Sequence, residues 1–510
     1  MGILDRIVSR AVKNVVEEAY ERGRHSPRRT YAAAQNVARY GDIRATRGSA
    51  DTELVTALAE LRAKSRWMGR NSPSMRRYIQ LMRTNVVGHN GFRFQSRVKK
   101  QDGTQDASLN EKVERQWALW WERPTVDGKM TGRQLLLQAV AQWSQDGEVL
   151  WEIVYNSAYR RDGMAVNPLE ADHLDESLNT VYPATGNPVR MGVEYNALGQ
   201  IVAYHLLTDH PGDISWYSPQ AKNRYRRVSI KNIIHLYDPE RPKQTRGAPP
   251  SASVINTAKM RDGHTEAVTV GRRLRAAIMG FFKRDLQSAA GIAELADTED
   301  ETDQMLEMSI EPGVMKELPA GVSFDKFDPG GEQTDFAAFD KQVKKEIAMG
   351  FGVSTLSLGM EVEGVSYSSG RTVVIEDRDY YKMMQAFFIE GAMRPLFLAW
   401  LTRNSMSKTS DIPPSRLDAI RASFVFRSRG WDWVDPSKDV SANAEALSTG
   451  QTSLTRIAAD RGMDLDELLD EIESERQAIE GRKGLTFILS GGNHGSSNSG
   501  AANVDQPEPQ

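Results

Sequence analysis

The spacing of apolar residues predicts a chain built mainly from α-helices, with a group of β-strands in its first half. Apolar positions recur every three or four residues, the period of an amphipathic helix, over about 52–71, 74–87, 109–121 and 134–146. Between 147 and 207 the pattern changes to alternation, which is typical of strands. The predicted strands are Glu148–Tyr155, Val193–Tyr195, Ile201–Leu206 and the short Ile233–Leu236. The pattern therefore predicts an α+β fold that is mainly α-helical.

Three longer helices are predicted in the second half of the chain. The first begins at Pro249-Pro250-Ser251 and continues to about Arg284. The second spans about Asp335–Met349. The third runs from about Gly370 to Thr402, and Pro395 is expected to bend it because proline cannot donate the helical hydrogen bond.

Loops and turns separate these helices. Residues 313–318 and 321–327 are predicted to pair as a hairpin, and 351–369 form a loop rich in Gly, Ser and Val. Three short helices are predicted after Pro436, with N-caps at Ser453 and Asp464 and breaks near Gly450 and Gly462. The Gly/Ser/Asn-rich tail from residue 490 is predicted to be disordered.

Composition narrows the class of protein. A chain of 510 residues suggests roughly three or four structural units. It contains no cysteine, which excludes disulfides, thiolate metal sites and a cysteine nucleophile. No apolar run reaches the ~20 residues of a membrane span, and Met1–Tyr20 lacks the apolar core of a signal peptide. We expect a soluble protein made in the cytoplasm, with no membrane contact.

Charge is distributed unevenly along the chain. Residues 1–100 contain 21 Lys and Arg against 8 Asp and Glu, and there is no acid from Leu61 to Gln101. This stretch is either a solvated helix face or a surface that meets nucleic acid or an acidic neighbour. Residues 285–330 reverse the balance, with 12 acids against Lys316 and Lys326. Such a block is either a flexible acidic loop or a surface that repels phosphate.

The common catalytic motifs are missing from the sequence. There is no phosphate-binding Gly-rich loop, no His-Glu-x-x-His and no Gly-x-Ser-x-Gly. His205, His210 and Asp213 are candidate metal ligands, but a strand and a turn are predicted to hold them apart. Ser366, Ser368 and Ser369 have no nearby histidine to act as a base, so N-capping of the following helix is their expected role. We therefore predict no catalytic residue, metal or cofactor.

Several segments together resemble the portal proteins of the lambda-like tailed-phage family. His235–Gly247 resembles the segment before that family's first stem helix, and Val193–Gly199 resembles its wing strands. Phe336–Phe339 and Ser366–Arg371 resemble its second stem helix and tunnel-loop junction, and Trp433–Lys438 its entry to the crown. The family usually has Asn at the position of Ser366 and Ala at that of Gly370. The resemblance runs in consistent order from about Ser65 to Glu480.

The resemblance implies a portal fold with wing, stem, clip and crown. Its units would be a wing with a basic N-terminal region (1–250), a first stem helix (251–284), an acidic clip (285–330), a return stem helix (331–351), a tunnel loop (352–369), a spine helix and wing return (370–434), a helical crown (435–489) and a disordered tail (490–510). The subunits would form a ring, typically of about twelve copies, with an axial channel.

The function implied is a DNA entry and exit channel at one vertex of a phage capsid, without enzymatic activity. Double-stranded DNA would pass through it non-specifically in packaging and ejection. The implied protein partners are other copies of the chain, the large terminase, the major capsid protein and scaffold, and head-completion or connector proteins. The implied location is the portal vertex of the virion.

Candidate site residues follow from the implied fold. The tunnel loop that would border the channel contains Val353, Leu356, Leu358, Gly359, Met360, Glu361, Val362, Glu363, Gly364 and Val365. The junction of this loop with the next helix contains Ser366, Tyr367, Ser368, Ser369 and Arg371. The clip residues expected to dock partners are Asp297, Glu299, Asp300, Glu301 and Asp303. The candidate contacts to the DNA backbone are Arg272, Arg273, Arg275, Lys341, Lys344 and Lys345, for which salt bridges between subunits are an equal alternative.

Two other classes of protein stay open. A metal-dependent nucleic-acid-processing enzyme would need acids that converge on Mg²⁺, with Glu148, Glu152, Glu170 and Asp172 as its first candidates. A helical cytoplasmic scaffold protein without DNA is the other alternative, which the basic N-terminal region disfavours.

Overall fold

The computed structural model describes residues 48–159, 163–213, 225–277, 280–284, 322–326, 336–359, 364–407, 410–431, 436–461, 463 and 465–480. The chain divides into two compact units, Met1–Glu53 and Leu54–Gln510. Residues 48–53 of the first unit are described, and the sheets and cores lie in the second. Within the ranges given, no helix is both long and apolar enough to cross a bilayer.

The first helices lie within a few residues of their predicted bounds. They are α1 (Ala50–Asn71), α2 (Pro73–Met82), α3 (Ala107–Trp121) and α4 (Gly132–Asp146), and a π-helix (Arg83–Val87) continues α2. Helix α4 begins with a capping box, in which Thr131 and Gln134 each accept a hydrogen bond from the other's backbone N–H, at 3.2 and 2.8 Å. It ends at Gly147, whose φ of +80° is left-handed. A Cβ there would lie 2.0 Å from the carbonyl oxygen of Ala248, so the site requires glycine.

Eight strands between residues 148 and 237 form two antiparallel sheets. The strands are β2 (Glu148–Tyr155), β3 (Met164–Leu169), β4 (Thr180–Val181), β5 (Pro188–Arg190), β6 (Val193–Tyr195), β7 (Ile201–Leu207), β8 (Tyr225–Ser229) and β9 (Ile233–Tyr237). A three-stranded sheet has the order β3-β2-β9 and a five-stranded sheet the order β4-β5-β6-β7-β8. The first six residues of β2 are buried, because this strand is central in its sheet and helix α4 packs against it.

A cluster of aromatic side chains packs residues 93–121 against residues 397–427. Strand β1 (Arg93–Ser96) pairs antiparallel with β12 (Phe424–Arg427). Phe94 of β1 lies 5.8 Å from the ring of Trp117 and 4.3 Å from that of Phe397. Trp117 and Trp120 are buried in the same cluster. These tryptophans are therefore core residues of the subunit, and burial of such rings contributes strongly to stability.

The first stem helix is shorter than predicted. A 3₁₀-turn (Pro250–Ser253) leads into α5 (Ile255–Ala277), and Gly280–Arg284 is a strand, β10. The prediction of a helix to residue 284 was therefore wrong at its end. Strand β10 pairs antiparallel with β11 (Val322–Lys326). Residues 313–318, the first strand of the predicted hairpin, lie outside the described residues. Its second strand corresponds to β11, which pairs with β10, a partner that was not predicted.

The loop predicted between the later helices contains a short helix. Helix α6 (Phe336–Phe351) is followed by α7 (Thr355–Gly359) and then by α8 (Tyr367–Phe388), which begins three residues earlier than predicted. A π-helix (Ile389–Met393) joins α8 to α9 (Arg394–Asn404). This π-helix ends two residues before Pro395, where the sequence predicted a bend. Such a π-turn is a frequent cause of helix irregularity.

The C-terminal part consists of short helices. Helix α10 (Leu417–Ala422) precedes β12, and α11 (Pro436–Ser448), α12 (Leu454–Asp460) and α13 (Leu465–Glu480) follow it. Ser453 caps α12, accepting a hydrogen bond from the N–H of Arg456 at 3.3 Å as predicted. The predicted cap at Asp464 and the predicted disordered tail lie outside the described residues.

Candidate channel site

Helices α5 and α6 pack side by side and are joined by polar and aromatic contacts. Arg261 on α5 donates to the Asp340 carboxylate on α6 at 2.7 Å, and Lys344 contacts its other oxygen at 3.0 Å. The His264 ring lies 4.8 Å from that of Phe339. At the base of the pair a Cβ on Gly350 would lie 2.1 Å from Val254, so the helices approach closely there. These contacts hold the two helices as one paired element.

The six candidate DNA-contacting residues differ in their surroundings. Arg273, Lys341 and Lys345 are exposed, and Arg272 is exposed with its guanidinium 5.9 Å from the Phe336 ring centre. Lys344 is half-buried by its ion pair with Asp340. The side chain of Arg275 lies outside the described part of the chain. Lys341 and Lys345 are four residues apart, so they share the helix face opposite buried Val343 and Ile347.

The first half of the predicted tunnel loop packs into the subunit's own core. Val353 and Leu358 are buried in the main hydrophobic cluster, and Leu356 is half-buried. The prediction that Val353 and Leu358 line a channel is therefore not met for these two side chains. Helix α7 holds them because Ser354 and Ser357 donate to the buried carboxylate of Asp377. Gly359, Gly364 and Val365 are exposed, whereas Met360, Glu361, Val362 and Glu363 lie outside the described residues.

The junction after this loop is an N-cap, as predicted. The Ser366 hydroxyl accepts a hydrogen bond from the N–H of Ser369 at 3.2 Å. It also lies 2.8 Å from the Ser369 hydroxyl and 3.2 Å from that of Ser368. Tyr367 is exposed and Arg371 half-buried. Ser366 therefore satisfies an N–H that the first helical turn leaves unpaired.

The clip residues cannot be placed. Asp297, Glu299, Asp300, Glu301 and Asp303 lie outside the described residues, so their grouping as a docking surface stays a prediction.

The acids of the alternative enzyme hypothesis are already neutralised by cations. Glu148 is buried and pairs with Arg246 and His235, at 2.5 and 2.9 Å. Glu152 forms a two-pronged ion pair with Arg226. Burial alone would raise the pKa of Glu148, but Arg246 and His235 outweigh it and hold that pKa well below its usual value. These two carboxylates belong to ion pairs within the fold, which does not support the hypothesis of a Mg²⁺ site.

Part of the basic stretch also turns inward. Arg62 is fully buried and contacts Glu148 at 3.4 Å, Asp172 at 3.3 Å and also Glu176. Arg66 forms a two-pronged pair with Asp146, with both distances 2.7 Å. Of the interpretations of the stretch 61–101, a solvated face and a nucleic-acid surface are therefore wrong for Arg62 and Arg66. These two residues instead tie helix α1 to acidic side chains between positions 146 and 176 of the same subunit.

The candidate metal ligands do not converge as a set. His205 is buried and lies 3.0 Å from the Glu194 carboxylate, while His210 lies 3.3 Å from Glu170. Glu170, Asp172 and His210 are close enough for their ligand atoms to share an ion. Arg66 contacts both carboxylates of that trio, at 3.1 and 2.6 Å, so a cation of the protein itself already lies beside them.

The sequence patterns did not indicate two charged residues that lie in the interior. Arg246 and Asp377 each place a charged group in the interior, where it holds several elements together. Arg246 lies within the segment His235–Gly247, so the resemblance marked its neighbourhood but not its role. For Asp377 the only local signal was the pair Ser354 and Ser357, whose spacing of three is typical of a capped helical turn.

Comparison with known proteins gives matches along most of the chain. The sequence profile of the family described as "Phage portal protein, lambda family" matches residues 38–385. A "Probable portal protein" of Halomonas phage phiHAP-1 is 31% identical over 436 residues, which cover 85% of this chain and 83% of the relative.

Matches at lower sequence identity also cover most of this chain. "Portal protein B" of Escherichia phage lambda is 23% identical over 475 residues, with 85% of this chain and 86% of the relative covered. Among solved structures, a chain from the neck of an empty gene transfer agent particle has a TM-score of 0.41 at 14% identity, covering 84% of this chain and 97% of that chain.

Proposed function

Because the chain belongs to the lambda family of phage portal proteins, we propose that its copies close into a ring at one capsid vertex, of about twelve subunits. Double-stranded DNA passes through the axial channel of this ring in packaging and ejection. The observation that carries the proposal is the family match over residues 38–385, which includes α5, α6 and most of α8. The protein acts as a conduit and has no enzymatic activity of its own.

Exposed apolar side chains on the long helices support assembly. Met260 on α5 is 75% exposed and Met349 on α6 is 68% exposed in the isolated subunit. Ile375 and Met383 are exposed on α8, eight residues apart. Large apolar side chains gain free energy when they are buried. Neighbouring copies in a head-to-tail ring would cover them, because such contacts repeat until the rotation closes.

Lys341 and Lys345 are the cations on the stem helices best suited to contact DNA. Both are exposed, and no described residue forms an ion pair with either of them. Two lysines on one helix face present a weak, sequence-independent attraction to phosphate. Transient contacts of this kind guide DNA without holding it, since each neutralised phosphate adds salt-dependent affinity.

The acidic clip is proposed as the docking surface for the large terminase and later for head-completion or connector proteins. Its acids would repel DNA phosphates and attract basic partner surfaces. Replacing Asp297, Glu299, Asp300 and Asp303 by Lys should leave rings intact and impair terminase docking. The matched control reverses four exposed acids of α13: Asp470, Glu471, Glu473 and Glu475. Normal packaging with the reversed clip would contradict this role.

Direct imaging tests the proposed ring. Negative-stain images of the purified protein should contain rings with a central hole, and native mass spectrometry should give one closed stoichiometry. Monomers alone, across a range of protein and salt concentrations, would overturn the ring.

Charge reversal of Lys341 and Lys345 to Glu separates DNA contact from subunit contact. We expect intact rings with a weaker dependence of DNA passage on salt, by about one unit of slope per lost contact. Lys112→Glu with Lys129→Glu is the control, since both lysines are exposed and lie outside the stem. Loss of rings would assign the two lysines to the subunit interface instead, and an unchanged salt dependence would remove them from the channel.

A further inference from the structure

The base of the predicted tunnel loop is held by one buried carboxylate. Asp377 lies on α8, eleven residues after the Ser366 cap, and is 6% exposed. Its Oδ1 accepts a hydrogen bond from the N–H of Ser354 at 2.9 Å. Its Oδ2 accepts from the hydroxyls of Ser354 and Ser357, both at 2.5 Å. One side chain of α8 therefore receives three hydrogen bonds from the start of α7.

We propose that Asp377 is a positioning residue that locks α7 to α8, so that these two helices move as one body when DNA passes. This inference rests on the proposed portal function for its consequence, but the lock itself is a property of the subunit. It assigns a mechanical role to a residue that the resemblance to portal proteins did not single out.

The length of α7 makes an anchor necessary. A helix of five residues is far below the ~12–15 residues at which isolated helices become marginally stable in water. Its conformation must therefore come from tertiary contacts. The Ser354 hydroxyl serves twice, since it donates to Asp377 and accepts from the N–H of Ser357 at 3.1 Å. Loss of the carboxylate would thus weaken both the anchor and the local cap.

Helix α2 also contacts α7 and the end of α6. Arg77 on α2 donates from Nε to the carbonyl oxygen of Ser357 at 3.2 Å. Leu358 is buried in the core that α2 and α8 share. Tyr78 on α2 stacks on Phe351 at the end of α6, with ring centres 4.4 Å apart. Helix α7 is thereby held between α2 and α8, and Asp377 supplies its only charged acceptor among the described residues.

A consequence for the proposed channel follows. Gly359 is exposed and ends the locked helix, and the later positions of the predicted tunnel loop follow it in the sequence. A displacement of α8 therefore carries this end of α7 with it. Without the carboxylate, α7 and α8 would move independently and this transmission would be lost.

The absence of native cysteine permits a clean test. A single Leu358→Cys thiol, buried in the locked state, reports opening of α7 through its rate of alkylation. In the Asp377→Ala background we expect this rate to rise tenfold or more, because three hydrogen bonds to a charged group are lost. Hydrogen exchange of the amides of residues 354–359 should accelerate in parallel. Glu376→Ala, which removes the exposed neighbouring acid, is the matched control and should leave both rates unchanged.

Other variants keep the test decisive. If Asp377→Ala does not fold, Ser357→Ala removes one hydrogen bond and should raise the alkylation rate by about threefold. Unchanged rates in folded Asp377→Ala or Ser357→Ala protein would overturn the lock. Rings of Asp377→Ala should form normally but transmit DNA tension poorly, lowering retention of packaged DNA. If wild-type protein forms no rings, the portal proposal fails, while the alkylation comparison still decides the lock.

Discussion

Arg246 and Glu148 form a fully buried, two-pronged ion pair between the segment that precedes α5 and the first residue of strand β2. The Arg246 Nε donates to one carboxylate oxygen at 2.9 Å and its Nη2 to the other at 2.5 Å. The same guanidinium also donates to the carbonyl oxygens of Leu174 and Ala171, at 2.6 and 2.9 Å. All four contacts come from elements distant in sequence, so this pair fixes the segment before α5 to the sheet that begins at Glu148.

Removing this arginine should strongly destabilise the subunit. Arg246→Ala would leave the Glu148 carboxylate buried and short of a cation, which costs about 3–5 kcal/mol. Urea titration of the purified protein measures the loss in the free energy of unfolding. Arg115→Ala is the control: Arg115 pairs with Asp411 on the surface, and such pairs contribute at most about 1 kcal/mol. Equal effects of the two changes would contradict the buried role of Arg246.

The Glu194 carboxylate should make stability depend on pH. Burial alone would raise the pKa of Glu194, but hydrogen bonds from Arg227, Asn187 and His205 outweigh it and lower that pKa to about 2. Because the folded pKa lies below the unfolded value of 4.5, the carboxylate stabilises the fold above that value, by about 3 kcal/mol at pH 7. This contribution is lost as pH falls towards 2.

Glu194→Gln provides the corresponding measurement. Urea titrations from pH 7 to 2 should show wild type more stable at pH 7, with the difference narrowing below about pH 4.5. Glu122→Gln, at an exposed position, should follow the wild-type curve throughout. A difference from Glu194→Gln that stays constant with pH would rule out titration of this carboxylate as its cause.

The Ser366 cap should stabilise only the start of α8. Ser366→Ala removes the acceptor for the Ser369 N–H and should cost about 1 kcal/mol. Hydrogen exchange in the first turn of α8 should therefore accelerate about fivefold. Ser368→Ala is the control, because within the described part of the chain the Ser368 hydroxyl has the Ser366 hydroxyl as its one hydrogen-bond partner. If both variants accelerate exchange equally, capping by Ser366 is not the cause.

Alanine substitution at two glycines with left-handed backbone should distinguish the cost of backbone strain from the cost of a steric clash. Gly147 and Gly128 have φ of +80° and +63°, but an added Cβ meets the Ala248 carbonyl at 2.0 Å only at Gly147. Gly128→Ala should cost about 1–2 kcal/mol from the backbone alone. Gly147→Ala should cost clearly more, because it would push the chain beside Arg246 away from the sheet. Thermal unfolding compares the two, and equal shifts would refute the packing argument.

The local spacing of apolar residues predicted many helices and strands correctly, because each of these elements buries one apolar face. Helices α1 to α4, strands β2 and β7 and the cap at Ser366 all follow from residues within a few positions of each other. The strand Gly280–Arg284 was missed for the opposite reason. Its apolar spacing continues that of α5, and only pairing with Val322–Lys326, about forty residues later, makes it a strand.

The charged interior could not be predicted from sequence spacing. Arg62 and Glu148 are 86 positions apart, so Arg62 had no visible partner in an acid-free stretch. Asp377 resembles Asp379 in its sequence surroundings, yet one is buried under α7 and the other is exposed. Which acid points inward is decided by how α7 packs against α8, and that packing depends on residues of α2 some 280 positions away.

The pairing of β1 with β12 has a consequence for synthesis of the chain. Arg427 of β12 donates from Nε to the side-chain oxygen of Gln95 on β1, although 332 positions separate the two residues. A ribosome therefore completes the wing, the stem and α8 before β1 receives its partner. During that interval β1 has an unpaired edge, and Phe94 lacks the rings of Phe424 and Phe426 that later cover it. Pairings so distant in sequence form slowly, so the nascent subunit is most prone to aggregate just before residue 427 emerges.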